Sequence, residues 1–138
     1  MSRPLEPAQP VLAVGAVCLR DNNVLLVRRA KPPRKGRWSL PGGHLEWGET
    51  AAGGAQRELA EETGVEAEGL GLIDVVDVIS DAHHYVVIDY AFRWTAGEPR
   101  ANDDALEARF VPLTGLEPYY LSGDTLSVIA KALRQFGA

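Results

Sequence analysis

The sequence predicts a single α/β domain in which a mixed β-sheet lies between helices. Apolar runs rich in β-branched residues recur over residues 11–19, 24–29, 67–80 and 85–95, which is strand chemistry. Two stretches carry helical spacing instead, one just after the glycine pair Gly42-Gly43 and one at the end of the chain. The order is therefore strand pair, glycine loop, helix, several strands, helix, and helices on two faces of a mixed sheet would bury the runs. The length of 138 residues suits one domain with a real core. No internal repeat, low-complexity tract or interdomain linker divides it.

Residues 1–10 (MSRPLEPAQP) contain three prolines and no apolar signal-peptide core, so they read as an irregular lead-in. Residues 11–19 are a buried strand with Ala and Gly interleaved. Asp21-Asn22-Asn23 is a turn, and residues 24–29 return as the second arm of a hairpin. Arg28 and Arg29 point to opposite faces of that arm, so one of them can look toward a site. The basic loop 31–37 (KPPRKGR) is exposed by composition. It runs straight into Trp38-Ser39-Leu40-Pro41-Gly42-Gly43 and so borders any pocket the glycines form. An arginine or lysine there, Arg37 included, is a charge-assisted partner for phosphate. Trp38 fits the core better than a base-stacking platform.

Thr50 is an N-cap and Gly64 an αL stop, which bounds the first helix. Gly53 and Gly54 weaken its start by about 1 kcal/mol each relative to alanine, and close packing of the helix on a sheet would explain them. Residues 67–80 form a strand bent near Asp74, and residues 85–95 (YVVIDYAFRWT) a second long strand. His83 and His84 lie between them. Adjacent residues in extended chain point apart, so the pair does not chelate one ion and reads as a surface turn. Residues 102–107 form an acidic loop, followed by a short strand over 108–111 that ends at Pro112. Residues 116–120 are a loop placed to line a pocket, with Tyr119 or Tyr120 available to stack a base or sugar. The last helix spans 125–136 and buries Leu126, Ile129, Ala130 and Leu133.

The chemistry concentrates on the first helix. At about 100° per residue, Glu58, Glu61 and Glu62 fall within an arc of about 100°. Ala52, Ala55, Leu59 and Thr63 cluster roughly 110° from the centre of that arc and form the packing face. Like charges at spacing three or four destabilise a helix, so a cation belongs beside the acids. Hard divalent ions take oxygen ligands and keep positions for water and phosphate. The bland alternative is a solvated acidic face on which Arg57 pairs with Glu61 at i,i+4.

The surrounding residues decide between the two. The stretch GGHLEWGETAAGGAQRELAEETGV resembles the Nudix box, G-x5-E-x7-R-E-U-x-E-E-x-G-U with U apolar. Gly43, Glu49, Arg57, Glu58, Leu59, Glu61, Glu62, Gly64 and Val65 fill all nine fixed positions over 23 residues. The match covers about a sixth of the chain directly, and elsewhere the likeness is one of layout.

The resemblance implies an α/β/α sandwich that hydrolyses a diphosphate bond with Mg²⁺, for which Mn²⁺ can substitute. It implies Gly43 (through its carbonyl), Glu58, Glu61 and Glu62 as metal ligands, with Glu46 assisting through water. Glu58 is the candidate base or ligand, and Arg57 holds Glu58 or Glu61 in place. Glu49 braces the loop by pairing with Arg57. An acidic residue from a later loop, Glu107 or Asp104, is a candidate further ligand or base. Arg29 is a candidate phosphate contact, with Arg37, Trp38 and Tyr119 lining the substrate. ADP-ribose or a related nucleotide sugar is the favoured substrate. A nucleoside triphosphate, oxidised forms included, comes next, and capped RNA or dinucleoside polyphosphates after it. A sensing module without turnover is the alternative of another class. Such modules often lose box carboxylates, and all are kept here. A homodimer is compatible with the resemblance.

Composition narrows the partners. A net charge of -5 argues against a broad nucleic-acid or acidic-membrane surface, and no DNA-binding extension is expected. No stretch approaches the roughly 20 apolar residues of a membrane span. Cys18 is the single cysteine, so no internal disulfide forms, which fits a reducing cytoplasm.

Overall fold

The computed structural model describes residues 9–31, 34–102 and 104–137. Most of the lead-in expected over residues 1–10 lies outside the described residues, as do Pro32 and Pro33 of the basic loop and Asp103 of the acidic one. The chain runs β1 (Val11–Arg20), β2 (Asn23–Arg29), β3 (Trp38–Ser39), β4 (Gly42–His44), α1 (Ala51–Thr63), β5 (Glu66–Ile79), β6 (His84–Ala96), β7 (Ala105–Pro112) and α2 (Gly123–Phe136). A 3-10 turn at Glu117–Tyr119 precedes α2.

All seven strands join one mixed sheet. β1 is its axis. On one side β6 runs parallel to β1 from Val11↔Tyr85 to Leu19↔Arg93, and β5 forms the outer edge, antiparallel to β6. On the other side the sheet splits. β2 pairs with β1 only at Leu19↔Val24 and Arg20↔Asn23, then turns away to pair with β3 and β7. β4 takes the freed edge of β1 at Ala13, Val14 and Gly15. The bend expected near Asp74 is present as register shifts at Gly69/Gly71 and Leu72/Asp74.

The alternation of β1 divides the core in two. Val14, Ala16 and Cys18 pack with Leu25, Phe92, Ala55 and Leu59 under α1. Val17 and Leu19 pack with Val24, Leu26, Ala91 and Val111 under α2, where Val128, Ile129 and Ala132 meet them. Burial pushes the Cys18 thiol up to about 12, which leaves it a packing residue with little thiolate character.

Three expectations need correction. β7 begins at Ala105, not 108, because its whole length pairs with β2; ladder hydrogen bonds override the polar composition of residues 105–107. α2 buries Val128, Ile129 and Ala132, while Leu126 is exposed. The sequence carries two adjacent apolar stripes, and the helix is rolled onto the one aligned with Phe136, whose ring reaches Gly71. In α1, Ala52 is exposed, and the packed face is Gly54, Ala55, Leu59 and Thr63 with Glu62 beside it.

Candidate active site

α1 is delimited as its caps dictate. The Thr50 hydroxyl accepts from the Gly53 N–H at 3.0 Å. Gly64 ends the helix at φ 71°, its N–H returning to the Ala60 carbonyl. The end of α1 lies against the glycine pair of β4. The Gly42 N–H donates to Glu62 Oε2 at 2.7 Å, which accounts for a buried glutamate. A Cβ at Gly43 would sit 2.7–2.9 Å from the Glu58 carboxylate atoms, so only glycine lets that strand and that acid approach.

Arg57 is the hub of the acids. Its Nε and NH2 grip Glu49 in a fork at 3.0 and 2.8 Å. NH2 also donates to the His44 carbonyl at 3.1 Å, and NH1 reaches Glu58 at 2.9 Å and Glu61 at 3.1 Å. The fork, helped by the Glu46 N–H, holds the Glu49 carboxyl down at about 2. The bond to Glu49, and after it the bond to Glu58, raise the Arg57 pKa above its ordinary value. Glu49 thus braces the loop, as its pairing with Arg57 suggested. The two helix glycines also find their reason. A Cβ at Gly54 would meet Glu49 Oε1 at 2.8 Å and Leu45 Cδ1 at 2.9 Å, so Gly54 makes room for the Glu49 carboxylate and not for the sheet. Gly53 abuts the capping hydroxyl of Thr50.

The donor set of this corner is carboxylate and carbonyl oxygen, which fits a hard divalent cation. The three carboxylates divide between two partners. Glu58 and Glu61 turn to Arg57, and Glu62 turns to the Gly42 N–H. Among the described residues no three acids, histidines or cysteines are grouped at ion-holding distance.

The split in the sheet places the remaining candidates. Arg29 ends β2, and its backbone clamps the basic loop by bonds to the Arg37 carbonyl and from the Gly36 N–H. Its Nε is buried with no partner among the described residues. Arg37 itself is exposed. Trp38 and Tyr119 do come together, edge to face at 5.0 Å between ring centroids, and the Arg109 guanidinium lies 5.0 Å from the Trp38 ring centre. Glu107 belongs to this second group. It stands on β7, in register with Arg28, and bonds Arg109 at 3.3 Å. Asp104 pairs with Lys31 at 2.7 Å, and Tyr120 is exposed.

Nothing in the sequence singles out Arg109 or Asp89. Each is one of several polar residues in a mostly apolar strand, and strand parity alone does not say which of them point inward.

Comparison with known proteins follows the same geometry. The NUDIX domain model matches residues 9–132. The chain belongs to the Nudix family. It is 37% identical over 109 residues to the ADP-ribose pyrophosphatase of Methanocaldococcus jannaschii, covering 78% of this chain and 64% of that protein. It is 40% identical over 95 residues to the putative 8-oxo-dGTP diphosphatase 2 of Mycobacterium tuberculosis, covering 67% of each. The crystal structure of a MutT NUDIX hydrolase from Burkholderia pseudomallei superposes with a TM-score of 0.81 at 33% identity, over 90% of this chain and 98% of that one. This chain thus spans about two thirds of the length of those two curated relatives. Those relatives are named as a pyrophosphatase and a diphosphatase, and the family generally works with divalent metals. Among the described residues, no helix is long and apolar enough to cross a membrane.

Proposed function

We propose that this Nudix protein hydrolyses the diphosphate of a nucleoside diphosphate joined to a second group, with ADP-ribose the favoured substrate. The observation that carries this reading is the Arg57 clamp, which holds Glu58 and Glu61 on one guanidinium nitrogen, with Glu58 against the bare backbone of Gly43. Glu58, Glu61, Glu62 and the Gly43 carbonyl would hold Mg²⁺, with Mn²⁺ as a substitute. When bound, the ion offsets the charge of the anhydride and lowers the pKa of a coordinated water.

The chain's own residues do the rest. Glu49 fixes Arg57, and Arg57 fixes Glu58 where its carboxylate can take a proton from water. The Gly42 N–H sets the orientation of Glu62. The Nε of Arg29, without a partner among the described residues, donates to a phosphate oxygen, and Arg37 extends the positive rim. Trp38 and Tyr119 line the organic part of the substrate. The Methanocaldococcus relative supports ADP-ribose. The Mycobacterium relative supports a second reading, hydrolysis of an oxidised nucleoside triphosphate. A nucleotide panel with Mg²⁺ tests both. AMP plus ribose phosphate identifies the first, and a nucleoside monophosphate plus pyrophosphate the second. Tight ADP-ribose binding with no turnover in Mg²⁺ or Mn²⁺ overturns the enzymatic reading.

A further inference from the structure

Asp89 is 4% exposed in the middle of β6, yet no donor among the described residues bonds its carboxylate. It alternates with Ala91 and so looks to the α2 face of the sheet. Its neighbour there is another acid, Asp74, in register on β5. Lys131 of α2 pairs with that neighbour, Asp74. A buried, unpartnered carboxylate is costly, so a protein that keeps one calls for an explanation.

The chain also makes room for this acid. Gly15 stands opposite Asp89 on β1, and a Cβ there would lie 2.2 Å from Asp89 Oδ1. Gly15 is itself paired with Gly42 of β4, whose own Cβ would lie 3.1 Å from the Gly15 Cα. Gly42 donates its N–H to Glu62. From the Asp89 carboxylate the backbone thus runs through Gly15 and Gly42, with the Val14 and Pro41 carbonyls beside them, to the N–H that holds Glu62.

We propose that Asp89 is a specificity-determining residue, whose carboxylate accepts from N–H or O–H donors on the organic group that a substrate carries over Gly15 and Gly42. This rests on the hydrolase reading for where the diphosphate lies. The donors belong either to sugar hydroxyls or to the amine edge of a base. Burial, with a smaller contribution from Asp74, pushes the Asp89 carboxyl up to about 6, which still leaves it an anionic acceptor at neutral pH.

The test is Asp89→Asn, which keeps the shape and removes the anionic acceptor. Its KM for the preferred substrate should rise about 10- to 100-fold with kcat within about threefold of wild type, since a hydrogen bond to a charged group is lost in the ground and transition states alike. Dideoxyribose analogues and analogues lacking the exocyclic amine assign the donor. On wild type, the analogue lacking the right donor should show the same KM rise, and Asp89→Asn should no longer distinguish it. Gly15→Ala, which displaces the carboxylate, should copy the effect. An unchanged KM for Asp89→Asn overturns the proposal, as does an equal loss of kcat on every substrate. Calorimetric binding of the same nucleotides in EDTA gives the comparison without turnover. Equal affinities for wild type and Asp89→Asn there overturn the role of Asp89, whereas absent turnover with unequal affinities overturns only the hydrolase reading.

Discussion

Replacing Asp89 with asparagine should stabilise the protein at neutral pH, by an amount that shrinks as the solution is acidified. The carboxyl sits at about 6 in the folded chain against an ordinary value of 3.8, first because burial strips its water and second because Asp74 is near. A raised acid pKa means that the folded state binds more protons than the unfolded one between those two values. Stability therefore falls as pH rises from about 3.8 to about 6, and the full penalty is present above that window. At about 1.36 kcal/mol for each tenfold change in acidity, the penalty is about 3 kcal/mol at pH 7.5 and about 1 kcal/mol at pH 4.5. Asparagine does not titrate, so its advantage over wild type should follow the same course. Urea unfolding of both proteins at the two pH values measures it. An advantage that is the same at both values would refute the reasoning. So would a variant less stable than wild type at pH 7.5, which would mean that the carboxylate has a donor in solution.

Two further substitutions probe the acid corner. Glu62→Gln keeps an oxygen for the Gly42 N–H, so its unfolding transition should match wild type while kcat with Mg²⁺ falls about 100-fold or more. Near-native turnover would remove Glu62 from the metal set. Gly54→Ala puts a methyl 2.8 Å from Glu49 Oε1 and should cost about tenfold in kcat by loosening the Arg57 fork, although alanine favours the helix. Gly53→Ala, one residue earlier, meets only the Thr50 hydroxyl and should stay closer to wild type; equal kcat for the two would deny Gly54 its role.

The parts of the molecule fixed by local chemistry were legible in the sequence. Thr50 and Gly64 bound α1 because cap preferences are short-range, and Glu58, Glu61 and Glu62 share a side because helical periodicity is strict. The Arg57–Glu49 fork was legible too, through the spacing of the box. Pairings between distant strands were not. Nothing in residues 11–19 says that they run parallel to β6, or that β2 peels away to leave an edge for β4. The pairing of β2 with β7 sets Glu107 opposite Arg28, and Arg109 on the same strand reaches the Trp38 ring. Asp89 was invisible for a related reason. In YVVIDYAFRWT it is one acid in a strand, and only Gly15 on a different strand shows that its carboxylate lies over bare backbone.

Manganese binding followed by electron paramagnetic resonance shows whether the α1 carboxylates hold a divalent ion, because the signal of free Mn²⁺ is lost when the ion is held by protein ligands. The wild-type protein should quench it saturably, and a variant with Glu58, Glu61 and Glu62 all changed to glutamine should leave it untouched while keeping the wild-type circular dichroism. Equal quenching by the two proteins would place the ion elsewhere and contradict the account.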